Sequence, residues 1–193
     1  KTGIGNGLGD GTSQFASYIA GLREAGLDVV FVVDATGSMG WVLDEVKDRI
    51  EDIASVVRSL VPIARFGFVG YRDKGDPEFS TRIEPLTYST TRLKNFLGGL
   101  EAVGGGDWFE AIDEGLRVAI EESGWRIGAR RLVILIGDAP IRQSQLNRVV
   151  DLVEQFRRAE GTVSTLDVSD QANPHLLEAK VGRKVAHSLY RSA

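Results

Sequence analysis

Asp34, Thr36 and Ser38 stand at alternate positions where the apolar run 28–33 ends, in the stretch DVVFVVDATGSMG (28–40). In extended chain, residues i, i+2 and i+4 project to one side. Gly37 permits a tight turn between the hydroxyls, so the three side chains can converge where a strand hands over to a helix. One carboxylate and two neutral hydroxyls make a hard-oxygen set. Such a set suits Mg2+, Mn2+ or Ca2+ and does not suit zinc. Three side chains cannot fill six coordination positions, so water, other loops or a ligand must supply the rest. Asp34 has a weak structural alternative, because a carboxylate closing a buried strand otherwise needs a cationic partner.

The elements that must hold these oxygens follow from apolar spacing. Residues 28–33 form the first expected strand. A long helix over about 39–60 carries Trp41, Val42, Val46, Ile50, Ile53, Val57 and Leu60 on one stripe, and Pro62 marks its end. RFGFVGYRD (65–73) is a second strand, DKGDP a turn, and FSTRIEP (79–85) a short edge strand closed by Pro85. Helices are expected over about 90–97 and 108–121, the latter opened by GGGD (104–107). RLVILIGD (131–138) suits a central parallel strand covered on both faces. Helix 142–159 and strand 162–168 complete the series. Ahead of it, Phe15, Tyr18, Ile19 and Leu22 fall at helical spacing within 13–25, and Gly26 stops that helix.

Strands alternating with helices mean a doubly wound α/β domain. Its sheet is mostly parallel, with helices on both faces and one antiparallel edge strand from the hairpin 65–84. Ligands of such sheets bind beyond the carboxyl ends of the strands, where the winding direction reverses. Asp34 and Asp138 each follow an apolar strand and are expected at that end.

At this point the chain resembles the von Willebrand factor type A domains with a metal-ion-dependent adhesion site. The family motif D-x-S-x-S stands here as Asp34-Ala35-Thr36-Gly37-Ser38, in a D-x-T-G-S-M form. The resemblance covers about residues 27–168 and implies a Rossmann-like fold. It implies that Asp138, in LVILIGDAP, is the acid of the third site loop. It also implies that Asp107, in GGGDWFEAID, is the acid of the second, where many members carry Thr. Phe109 stands where the G-G-G-D-x-P-E form has Pro. The implied metal set is therefore Asp34, Thr36, Ser38, Asp107 and Asp138, with Mg2+ the expected ion and Mn2+ or Ca2+ as alternatives. The implied function is a non-catalytic, metal-dependent protein-binding or cell-adhesion module. A third carboxylate should hold the ion firmly while favouring neutral or weakly acidic partner groups.

Each assignment has a simpler counterpart. Ser38 can cap the helix that follows, and Asp138 the helix after Pro140. Asp107 with Glu110 makes a capping box. Tyr71, Arg72 and Asp73, in YRDKGD, are candidates for the rim of the binding face, or for a solvated turn. Trp108 and Trp41 are candidate partner anchors, or core. The competing function is an α/β-hydrolase with Ser38 on a nucleophile elbow, Asp138 or Asp167, and His187 following in order. Against it, Thr36 fills the position of the elbow's first Gly, and Asp34 has no role in that scheme. His175 and His187 read as loop and surface residues.

Composition narrows the classes further. The chain has 193 residues, 42% hydrophobic and 26% charged, which is enough for one domain. A net charge of −4 argues against a broad nucleic-acid footprint. No run approaches the ~20 apolar residues that span a bilayer. Cysteine is absent, which suits an exported bacterial protein as well as a cytosolic one. Residues 1–12 alternate Gly with other residues and are expected to be a flexible lead-in to a single domain over 13–193. The chain opens at Lys1, as a trimmed or processed product would. The family's usual sixth strand and closing helix are not legible in 169–193, which leaves truncation open.

Overall fold

The computed structural model describes residues 7–105, 111–139 and 143–168, with side chains from residue 13 onward. Helix α1 (Gly7–Ala25) leads into β1 (Leu27–Asp34). After a 3-10 turn at Gly37–Met39 come α2 (Gly40–Leu60), β2 (Arg65–Tyr71), β3 (Thr81–Thr87) and α3 (Thr90–Gly98). Then follow α4 (Ile112–Glu122), β4 (Arg130–Gly137), α5 (Leu146–Arg158) and β5 (Gly161–Asp167). The five strands form one sheet in the order β3-β2-β1-β4-β5, with only β3 antiparallel. The expected class, the central place of 131–138 and the antiparallel edge all stand. No helix among the described residues is long and apolar enough to cross a membrane.

The alternation along β1 divides the core. Val29, Phe31 and Val33 face α2 and α3, where Phe31 stacks on its register partner Phe68 at 4.9 Å between ring centroids. Val30 and Val32 face α4 and α5. Burying both faces of β1 explains why its sequence is nearly unbroken apolar. On α2 the core stripe is Val42, Leu43, Ile50 and Ala54, with Val46 and Val57 partly buried. Trp41, Ile53 and Leu60, expected on the inner stripe, are exposed. On α1, Ile19 and Leu22 reach the core while Phe15 and Tyr18 stay exposed.

Several boundaries differ from those expected. Helix α1 is described from Gly7, inside the segment expected to be a flexible lead-in. Strand β3 runs through Pro85 to Thr87 instead of stopping. Its register with β2 shifts between Phe66 and Phe68, where Glu84 and Thr87 are the partners. That bulge gives a residue without an N–H a place on an edge strand. Helix α4 is described from Ile112, and residues 106–110 lie outside the described part. So do residues 169–193, with His175, His187 and the tail on which a closing helix was sought.

Candidate metal centre

Register fixes where the acids lie. On β1, Asp34 pairs with Tyr71 of β2, and Val33 pairs with Ile136 of β4. Asp73 and Asp138 therefore stand just past the carboxyl ends of the two strands that flank β1. This is the winding reversal of the sheet, because the chain leaves β1 toward β2 on one side and returns as β4 on the other.

Asp34 is fully buried. Its Oδ1 accepts the Thr36 backbone N–H at 2.8 Å and the Thr36 hydroxyl at 2.7 Å. The Thr36 Oγ1 lies 3.5 Å from the exposed Ser38 Oγ. The expected convergence of 34, 36 and 38 is thus present. The other oxygen, Asp34 Oδ2, is buried without a hydrogen-bond partner, and so is Asp138 Oδ1. No Lys or Arg among the described residues pairs with either acid. Burial pushes the Asp34 carboxyl up to about 7. The two Thr36 hydrogen bonds pull it partly back, and the charges of Asp138 and Asp73 raise it further. Leaving a buried acid unpaired is costly, and a divalent ion is the partner that hard oxygens of this kind fit. Among the described residues no three acidic or histidine side chains gather closely enough to hold an ion by themselves. The hydroxyls of Thr36 and Ser38 are the oxygens that stand beside Asp34 here.

The capping alternative for Ser38 fares poorly. The first turns of the 3-10 segment and of α2 receive no side-chain cap bond, so Ser38 is not used as a cap. Helix α5 starts at an uncapped Gln145, and the turn directly after Pro140, which Asp138 was expected to cap, lies outside the described residues.

The loops around this pocket of oxygens are knitted by the backbone. Ala35 N–H donates to Tyr71 O, Val103 N–H to Ala35 O, and Gly37 N–H to Gly104 O. Gly104 and Gly105 have φ of +88° and +95°, a conformation that excludes most side chains. A Cβ on Gly104 would meet Asp76 Oδ2 at 2.8 Å. The run of glycines before Asp107 thus lets this segment lie close against the first loop. Asp107 itself, Trp108 and Glu110 lie outside the described residues.

The rim takes a different form from that expected. Tyr71 and Arg72 are buried, at 0% and 1% exposure, so neither can meet a partner directly. Tyr71 is wedged between Gly115 and Gly137. Arg72 turns inward to backbone carbonyls and to Asp76 and Glu78. Asp73 joins the acids acting on Asp34. Trp41 does stand outside, at 64% exposure, on the turn of α2 that follows Ser38.

Comparison with known proteins matches this arrangement to a family. Two curated relatives are an alpha-protein kinase, vwkA, from Dictyostelium discoideum and a putative ariadne-like RING finger protein, R811, from Acanthamoeba polyphaga mimivirus. The first is 28% identical over 65% of this chain and the second 34% over 46%. The matched parts amount to 20% and 9% of those proteins. Among solved structures, the VWA domain of SpRpn10 superposes with a TM-score of 0.62 at 11% identity, covering 86% of this chain and 82% of that one. The pilus adhesin SpaC of Lactobacillus rhamnosus GG, in its open conformation, gives 0.55 at 14% identity, covering 72% of this chain and 23% of the adhesin. These likenesses establish the fold. The model of the von Willebrand factor A domain family matches residues 28–190, and the chain belongs to that family.

Proposed function

We propose that this domain is a non-catalytic protein-binding module that takes a divalent cation, Mg2+ in the first instance, as part of its binding face. Asp34, Thr36, Ser38 and Asp138 would hold the ion, joined by Asp107 from the second loop. The ion supplies Lewis acidity, which draws an oxygen donor from a protein partner. The observation that carries this reading is the Asp34 carboxylate. It is buried, with one oxygen bonded by its own loop and the other without a partner. The adhesin and the VWA domain among the fold relatives support a binding role by analogy. The kinase and RING-finger relatives are far longer than the part matched, and their activities are not carried over here.

The acids set the partner's chemistry. Asp138 and Asp73 already place their charges on Asp34, so a bound dication would be largely neutralised from below. Such an ion attracts neutral or weakly acidic oxygens, such as hydroxyls and amides, in preference to a second strong carboxylate. The deciding experiment is calorimetric titration of the EDTA-stripped protein with Mg2+, Mn2+ and Ca2+, beside Asp34→Ala. Saturable binding in the wild type that the variant lacks supports the reading. A wild type that binds none of the three refutes it.

A further inference from the structure

Arg72 follows β2 and is 1% exposed. Its Nε donates to Ala35 O at 3.3 Å, and one terminal nitrogen donates to Glu101 O at 2.7 Å. The other donates to Asp76 Oδ1 at 3.2 Å and Glu78 Oε2 at 2.9 Å. The guanidinium carbon lies 4.0 Å from the centroid of the Phe79 ring. The backbone is equally engaged. The Arg72 N–H donates to Ser80 O at 3.0 Å, and its carbonyl accepts the Ala111 N–H at 3.2 Å.

One residue therefore touches the first site loop at Ala35, between the two donors Asp34 and Thr36. It also grips Glu101 and Ala111, on either side of the glycine run and of Asp107 in the sequence. Asp76 and Glu78 neutralise the guanidinium, so its charge is paired without drawing on Asp34. A planar fork can reach two carbonyls and two carboxylates at once, which an ammonium cannot.

We propose that Arg72 is the positioning residue of the cation site: it ties the first loop, at Ala35 between the donors Asp34 and Thr36, to Glu101 and Ala111, and so fixes where those donors stand. It touches no ion and no partner, and acts through the carbonyls of Ala35 and Glu101. The assignment rests on the metal-binding reading above.

The test is Arg72→Lys, which keeps charge and most of the volume but loses the fork. Mn2+ affinity is measured by titration well below the melting temperature, with amide hydrogen exchange on the metal-free protein alongside. Groups that orient metal ligands typically cost 10–100-fold in affinity when changed, so a loss of about tenfold or more is expected. Faster exchange is expected at the amides of Gly37, Val103 and Ala111. A residue that only stabilised the fold would lower the melting temperature and leave the affinity of the folded protein alone. Folded Arg72→Lys with wild-type Mn2+ affinity therefore overturns the proposal. Should that variant fail to fold, Phe79→Leu removes the ring beneath the guanidinium and leaves every hydrogen-bond partner in place. A loss of about threefold is expected for it, and unchanged affinity overturns the proposal. A folded wild type that binds no Mn2+ overturns the metal reading instead, so the two failures are seen on different proteins.

Discussion

The Thr36 hydroxyl donates to Asp34 Oδ1 at 2.7 Å, while Oδ2 of the same buried carboxylate has no hydrogen-bond partner. The loop thus holds one oxygen of the acid and leaves the other without a hydrogen bond. Asp34→Asn keeps an acceptor for the Thr36 donors and removes the unpaired charge. At pH 8 in EDTA that variant should be more stable than wild type by about 1–3 kcal/mol, because it leaves a neutral group unpartnered where wild type leaves a charged one. It should also lose the response to metal. Wild type in Mn2+ at 100 times its dissociation constant gains about 2.7 kcal/mol. For a domain of this size that is an upward shift of about 5–10 °C. Thermal melts of the two proteins with and without Mn2+ decide both points.

The raised carboxyl of Asp34 gives a pH dependence with a definite sign. In the unfolded chain this acid titrates near 3.8, and in the metal-free fold at about 7. Between those values the folded state binds the extra proton. The stability contributed by this group is therefore complete below the unfolded value and is lost as pH rises toward 7. Urea melts in EDTA should show Asp34→Asn gaining on wild type from pH 5 to pH 8, with the gap levelling off above pH 7. Metal binding must expel the proton, so Mn2+ affinity should climb by about tenfold per pH unit below 7 and then flatten. An affinity flat from pH 5 to 8 would contradict the assignment of Asp34 as a ligand.

The strand-end acids were legible because their signal is local. Asp34 and Asp138 each close an apolar run, and the register of three parallel strands carries that position into space. Arg72 shows what locality misses. In YRDKGD it looks like a turn residue, but two of its acceptors, Ala35 and Glu101, are 37 and 29 positions away. Only its own-loop partners Asp76, Glu78 and Phe79 could have hinted at burial. Trp41 misled in the other direction. It is expected on one stripe with Val42 and Val46, but it stands one and five positions from them, off the three-to-four spacing of a helix face, and is exposed beside the buried Val42 and Leu43. The run through Pro85 was hidden because a bulge on an edge strand depends on the partner strand as much as on the proline.

At the far end of β1 a second buried acid behaves oppositely. Asp28 accepts from the Arg65 Nε and Nη2 at 3.0 and 2.7 Å, and from the Arg126 backbone N–H and Nε at 3.0 Å each. Burial alone would raise its carboxyl, but these hydrogen bonds outweigh it and hold it below the ordinary 3.8. Its contribution is present above that value and is lost as pH falls. Asp28→Asn strands two arginines and should cost about 3–5 kcal/mol. Six residues of strand, about 20 Å, separate it from Asp34, so Mn2+ affinity of the folded variant should match wild type. Chemical denaturation and titration on one sample check both halves.

The last prediction concerns the floor of the site. Gly137 ends β4 beside Asp34, and a Cβ there would lie 2.7 Å from the Tyr71 hydroxyl oxygen and 3.7 Å from the Asp34 Cβ. In an ordinary strand, Gly→Ala would gain up to about 1 kcal/mol from the stiffer unfolded chain. Here the methyl must push back a buried tyrosine already hemmed in by Gly115, and overpacking of that kind costs about 1–3 kcal/mol. Tyr71→Phe removes the oxygen that the methyl strikes. In a double-mutant cycle Gly137→Ala should therefore be less damaging in the Tyr71→Phe background than in wild type, with a coupling of about 1 kcal/mol. Equal costs in both backgrounds would mean that the tyrosine hydroxyl does not set the space at the end of β4.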